Sequence, residues 1–84
     1  MKVDPDLERA LKRAPLTDFA VIVHVQGDPA QYTGAIEALD LSVARVFRLT
    51  NTIAVRGPAF RVLELDDQPW VHKIESDRQI TALH

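Results

Sequence analysis

The stretch Gln68-Pro69-Trp70-Val71-His72-Lys73-Ile74-Glu75-Ser76-Asp77 decides the fold of this 84-residue chain. Its branched and aromatic residues, which follow a proline, predict a β-strand over residues 70–77. Upstream, Gly57-Pro58-Ala59-Phe60 predicts the start of a helix, because proline suits the first helical position. This part of the chain therefore indicates a helix followed by a strand, with the short segment 78–84 after them.

Two more helices are predicted by the same combination of a capping residue and a proline. Asp4-Pro5 opens the first, in which Leu7 and Leu11 recur at helical spacing, and Pro15 ends it. Asp28-Pro29 opens the second, which carries its own apolar stripe. Both predicted helices are amphipathic, so each should pack one side against a core.

Three further segments have the composition of β-strands, namely residues 19–25, 43–49 and 52–55. The last two are separated by Thr50-Asn51, which is short enough for a hairpin. After the first helix, the order is strand, helix, strand, strand, helix, strand. This order predicts an α+β fold, the ferredoxin-like βαββαβ sandwich, in which a four-stranded antiparallel sheet carries two helices on one face. The N-terminal helix is an addition to it.

The second face of such a sheet is not covered by the two crossover helices. Alternation predicts that strand one turns Phe19, Val21, Val23 and Val25 to one face and Ala20, Ile22 and His24 to the other. For strand two it predicts Val43, Arg45, Phe47 and Leu49 opposite Ala44, Val46 and Arg48. Apolar side chains should therefore lie on the open face, which indicates either a partner surface or partial cover by the N-terminal helix.

Composition excludes several classes of function. The net charge is −2, without a basic run, which argues against a nucleic-acid partner, and Phe47 is the sole aromatic residue placed to stack on bases. No apolar run approaches roughly 18 residues and no secretory signal is visible, so we expect a cytoplasmic protein without a membrane partner. Cysteine is absent. His24 and His72 could be cross-strand neighbours, but two imidazoles alone make a poor zinc site. We expect no metal, no cofactor and no catalytic activity.

Four features together resemble a known family: the order of elements, the Val-Ile-Val strand before Gly27-Asp28, the hairpin 47–51 and the ending Pro69-x-Val71-x-x-Ile74-Glu75-x-Asp77. They are similar to subtilisin propeptides and to the stand-alone proteinase inhibitors that share their fold. The resemblance covers about residues 19–84. It implies a ferredoxin-like propeptide or inhibitor domain over 18–77 and a C-terminal tail over 78–84, and the helix predicted from Asp4-Pro5 forms a separate N-terminal helix and linker over 1–17.

The resemblance also implies a function and a set of binding residues. The domain would bind a subtilisin-like serine protease, as an inhibitor or as a folding chaperone, by packing its open sheet on two surface helices. Glu75 and Asp77 would cap the N-termini of those helices. Independently of the resemblance, alternate residues of a strand project to the same side, and helix N-termini attract negative charge.

The tail would lie in the substrate cleft of the protease like a cleaved product, adding a strand by backbone hydrogen bonds. Its last four residues would fill successive specificity pockets: Thr81, Ala82, Leu83 and His84. Either His84 takes the first pocket, or the register shifts by one and Leu83 takes it.

Two other functions remain open from the sequence. A small-molecule regulatory domain of the ACT type has the same order of elements and would hold its ligand near residues 26–30. A structural homodimer would form by pairing two open sheets. The chain is accordingly expected to be a monomer or a weak dimer.

Overall fold

The computed structural model describes residues 2–77, which form an α+β fold with one four-stranded antiparallel sheet and three α-helices. The elements are α1 (Pro5–Arg13), β1 (Asp18–Val25), α2 (Thr33–Glu37), β2 (Ser42–Phe47), β3 (Thr52–Pro58), α3 (Ala59–Glu64) and β4 (Val71–Ser76). Short 3-10 helices at Pro29–Tyr32 and Leu65–Asp67 adjoin α2 and α3. The predicted order of elements is therefore found along the chain.

The strands lie in the order β2-β3-β1-β4, so β1 and β3 are central and β2 and β4 are the outer strands. The side chains of Val21 and Val23 are fully buried and pair across the sheet with Val55 and Ile53 of β3. The same core contains Ile36 of α2 and Val62 of α3. Both crossover helices therefore pack on one face of the sheet, which we call the core face.

Helix α1 packs on the core face as well. Its apolar stripe, Leu7 and Leu11, is buried and belongs to the same cluster as the central strands, and α1 contacts α3. The helix begins as the sequence predicted, because a carboxylate oxygen of Asp4 accepts a hydrogen bond from the Leu7 amide at 3.3 Å. The alternative that the N-terminal helix covers part of the other face of the sheet is wrong, because Leu7 and Leu11 are buried in the core.

The residues before α1 extend the sheet at β4. The Ile74 amide donates to the Lys2 carbonyl at 2.9 Å, and the Asp4 amide donates to the Ile74 carbonyl at 3.4 Å. Val3 lies between them in a parallel bridge to Ile74 and is buried. Residues from the predicted 1–17 segment thus share one core and one sheet with residues 18–77.

The hairpin between β2 and β3 differs from the prediction. β2 ends at Phe47, not at Leu49, and residues 48–51 form the loop in place of Thr50-Asn51 alone. Leu49 is fully exposed in this loop, and Asn51 closes it with a positive φ of 55°. Asparagine tolerates this left-handed conformation better than most residues, so the loop has a local physical basis.

Strict alternation also fails within β2. Val43 pairs with Val55 and Arg45 pairs with Ala54, so Ala44 is an extra residue in a β-bulge. The bulge turns Val43 and Val46 toward the core face, while Arg45 and Phe47 lie on the opposite face. Regular alternation predicts Val43 on the same face as Arg45, and that prediction is wrong.

Candidate functional site

The face of the sheet opposite the core face is the candidate site, and we call it the open face. The pairing of the strands places on it, among others, Ala20, Ile22, His24, Arg45, Phe47, Thr52, Ala54, Arg56, Lys73 and Glu75. The buried side chains of the three helices lie on the core face. The open face is therefore the side of the sheet that residues 2–77 leave without a helix.

A groove of about 470 Å³ runs over the open face. Ile22 and Ala54, from the two central strands, line it in the middle. Phe47 lies on the β2 side, and Glu75 and Asp77 lie on the β4 side. The groove thus combines an apolar centre with acidic groups along one edge.

The pairing registers arrange charge across the open face. Arg45 pairs with Ala54, Ala54 with Ile22, and Ile22 with Glu75. These four residues form one row, which we call the middle row, with a cation at the β2 end and a carboxylate at the β4 end. Neighbouring strands lie about 4.8 Å apart, so the two charged ends are separated by about 14 Å.

Glu75 lies next to two other ionisable side chains of the open face. Its Oε2 atom lies 3.2 Å from the Lys73 ammonium and 3.4 Å from Nε2 of His24. The Nε2 atom of His24 is buried, and within residues 2–77 it has no hydrogen-bond partner, because its approach to Glu75 does not meet hydrogen-bond geometry. Their contact is therefore electrostatic, and it becomes an ion pair when the imidazole is protonated. Glu75 itself stays partly exposed and can reach a partner.

Of the predicted binding residues, the structure describes Glu75 and Asp77. Glu75 lies in β4, and the Asp77 amide, directly after β4, donates to the Ala20 carbonyl at 3.0 Å. Both residues line the same groove. The four tail residues of the prediction, Thr81, Ala82, Leu83 and His84, lie outside the described residues.

Neither Arg45 nor Lys73 was predicted to belong to this site, and Phe47 was considered only as an aromatic residue that could stack on bases. Lys73 had a readable signal, because it alternates with Glu75 and Asp77 along one strand. Arg45 and Phe47 depend on the bulge at Ala44, which alternation alone does not predict.

The histidine pair suggested by the sequence does not form. His24 pairs with Lys73, and His72 is the extra residue of a second bulge, opposite Val25. Within residues 2–77 there is no group of three or more side chains placed to hold a metal ion.

The loop after β1 is closed by the protein's own aromatic residues. Tyr32 and Trp70 stack with their ring centroids 4.3 Å apart and their planes 6° from parallel. The Tyr32 hydroxyl donates to the Gln26 carbonyl at 2.7 Å, and the Gln26 amide donates to the Trp70 carbonyl at 2.9 Å. These contacts fix the loop between β1 and the helical segment.

Comparison with known proteins does not identify the chain: no protein-family model and no curated protein matches it. Among the described residues, none of the helices has the length and apolar character that crossing a membrane requires.

Proposed function

We propose that this chain is a ferredoxin-like βαββαβ domain that binds a subtilisin-like serine protease, as an inhibitor or as a folding chaperone. The antiparallel sheet, its order β2-β3-β1-β4 and the helices on one face support the architecture. The open face supports a binding role, because it is a sheet surface with an apolar centre that no helix of residues 2–77 covers.

The observation that carries the proposal is the position of Glu75 and Asp77 beside the groove. A helix N-terminus presents unpaired amide groups and a partial positive charge, so it binds carboxylates. Two carboxylates two residues apart on a strand can meet two such helix ends, or two amides of one helix end. The apolar residues Ile22, Ala54 and Phe47 would then pack against the sides of the partner's helices.

The tail belongs to the same proposal. Segment 78–84 follows directly from Asp77, at the acidic edge of the groove. A partner bound to the open face would therefore have the tail at its own surface, where residues 81–84 could enter the substrate cleft as an added strand.

An inhibition assay tests the proposal. The chain should slow peptide hydrolysis by a subtilisin, and Glu75→Gln or Asp77→Asn should each weaken inhibition by about 5- to 30-fold, the loss of one charge-assisted hydrogen-bonding group of about 1–2 kcal/mol. Glu37→Gln is the matched control, because Glu37 is exposed on α2. Absence of inhibition at about 10 µM would count against the function itself, since that concentration exceeds the dissociation constant of most specific complexes.

A truncated variant and a digestion time course separate the parts of the mechanism. Removing residues 81–84 should weaken inhibition if the tail enters the cleft, and the truncated chain should keep its thermal stability. Inhibition unchanged by truncation would restrict the proposal to the open face. A chain that survives hours with the protease, followed by mass, acts as an inhibitor, whereas rapid digestion favours a chaperone role.

The ACT-type alternative has less support from the described residues. Its ligand would lie against residues 26–30, where the stacked Tyr32 and Trp70 and the bond to the Gln26 carbonyl already engage the loop. A thermal shift of the chain with free amino acids would reverse this ranking through binding linkage.

A further inference from the structure

The open face is complementary to itself in charge and in size. The middle row runs Arg45, Ala54, Ile22, Glu75 from β2 to β4. The next row, toward the hairpin, runs Phe47, Thr52, His24, Lys73 in the same direction. In the middle row the cation Arg45 at the β2 end can attract a carboxylate such as Glu75 at the β4 end. In the next row the aromatic ring of Phe47 at the β2 end can attract an ammonium group such as Lys73 at the β4 end.

We propose that the open face binds the open face of a second copy of this chain, around a two-fold axis parallel to the strands. Because the strand order is β2-β3-β1-β4, this axis lays β2 over β4 of the second copy and β3 over its β1. The level along the strands is preserved, so each row meets itself in reverse order. Arg45 then faces Glu75 of the second copy, and the symmetry repeats that contact.

The other positions of the two rows fit the same arrangement. Ile22 meets Ala54 of the second copy, so a large apolar residue faces a small one in the centre. Phe47 meets Lys73 of the second copy, an aromatic ring opposite an ammonium group. Sheets packed face to face lie about 10 Å apart, which these side chains can fill.

A dimer built around a different two-fold axis would not form these contacts. A two-fold axis perpendicular to the strands, through the middle row, would lay each strand over its own copy. Arg45 would then face Arg45 of the second copy, and Glu75 would face Glu75. Like charges across an interface oppose binding, so the axis parallel to the strands is the one selected by charge.

The size of the face sets the strength of the dimer. Four strands spaced about 4.8 Å apart, with about six residues of 3.3 Å each, cover about 400 Å² per copy. Stable specific interfaces bury about 800 Å² per partner; this face offers about half of that, in the range of weak, transient interfaces, so the dimer should dissociate at micromolar or higher concentrations. The dimer would also cover Glu75 and the groove. It therefore competes with protease binding, although it can be measured without any protease.

The dimer can be tested by reversing the charges of Arg45 and Glu75, the two ends of the middle row, and by measuring association by analytical ultracentrifugation. The wild-type chain should dimerise below about 1 mM, and Arg45→Glu or Glu75→Arg should each weaken the dimer at least about tenfold, because each variant places two like-charge pairs in the interface. The double variant should recover the dimer. An equimolar mixture of the two single variants should form a heterodimer, since both of its contacts pair opposite charges.

The controls are Glu37→Arg on α2 and Arg13→Glu on α1, which are exposed and lie on helices of the core face. Both should dimerise like the wild type. A wild-type chain that stays monomeric at about 1 mM overturns the proposal, as does a mixture of single variants that does not associate. If either variant fails to fold, amide NMR shifts of the wild type with concentration decide instead. They should fall on Ile22, Ala54 and Glu75, and shifts confined to the helices would overturn the dimer.

Discussion

The substitution Leu11→Ala tests how much the packing of α1 contributes to the free energy of unfolding of this small domain. The Leu11 side chain is fully buried and packs in the common core, although it belongs to the N-terminal helix. Truncating a fully buried leucine costs about 2–5 kcal/mol, so we expect a loss near 3 kcal/mol. At about 0.05–0.15 kcal/mol per residue, the whole chain has about 4–13 kcal/mol of stability. One substitution in α1 should therefore remove a large share of it.

The loss can be measured by urea unfolding followed through the fluorescence of Trp70, the single tryptophan of the chain. Leu16→Ala is the matched control, because Leu16 is 82% exposed and the same truncation there should change stability by no more than about 0.5 kcal/mol. For a domain of this size, 3 kcal/mol corresponds to a fall of about 12–24 °C in the melting temperature. The m-value should not change, because both variants expose similar surface on unfolding.

Equal stability of Leu11→Ala and Leu16→Ala would refute the placement of α1 in the core. The result also bears on function, because proteases cleave opened chains. A loss of 3 kcal/mol raises the unfolded population about 100-fold, and digestion should accelerate in proportion where opening and closing are fast. If the proposed inhibition of a protease holds, the Leu11→Ala variant should therefore be digested by the protease faster than the wild type, even with Glu75 and Asp77 in place.

Two further predictions concern single positions. Gly57→Ala should destabilise the domain by about 1–3 kcal/mol, measured by thermal unfolding, because a Cβ atom there would overlap the Cδ2 atom of buried Leu41; a neutral result would mean that Leu41 can move aside. Asp4→Ala should cost about 1 kcal/mol through loss of the N-cap bond to the Leu7 amide, while Asp4→Asn should retain most of the stability; equal losses in both variants would show that charge, not capping, matters there.

The sequence predicted the parts of the fold that depend on local chemistry. Asp4 and Asp28 each cap a helical segment with a side-chain oxygen, as their position before proline indicated. The apolar stripe of α1 and the alternation of β1 were also predicted correctly, because each follows a regular period over a complete element. The end of β2 was not predicted correctly, because the hairpin loop contains residues, such as Leu49, that suit a strand equally well.

Of the residues of the candidate site, Glu75 and Asp77 at the end of β4 could be singled out from the sequence, whereas Lys73 of the same strand and Arg45 of β2 were not. Glu75 and Asp77 follow a two-residue period, so their shared side could be read from the chain. The neighbours of Glu75 at the groove come from other strands, and their register is a tertiary property. Pairing of His24 with Lys73 in place of His72 is one such case, because an inserted residue shifts the register by one.

Both outer strands depart from alternation in the same way, and that departure builds the open face. In β2, Val43 and Val46 face the core and lie three residues apart, while in β4 the buried pair Val71 and Ile74 has the same spacing. A regular strand cannot turn residues three apart to one face, so each strand contains one inserted residue at a bulge.

The position of each bulge decides which charges reach the groove. If Ala44 were paired with Ala54 instead of bulged, and Val43 stayed opposite Val55, Arg45 would pair with Ile53 and point into the core, where an unpaired guanidinium is costly. With the bulge, Arg45 and Phe47 reach the open face at the same levels as Glu75 and Lys73. The bulges are therefore needed to bury the apolar residues of β2 and β4 in the core. They also bring Arg45, at the β2 edge of the open face, to the same level as Glu75 at its β4 edge. An apolar spacing of three residues within a predicted strand is the signal from which both could have been inferred.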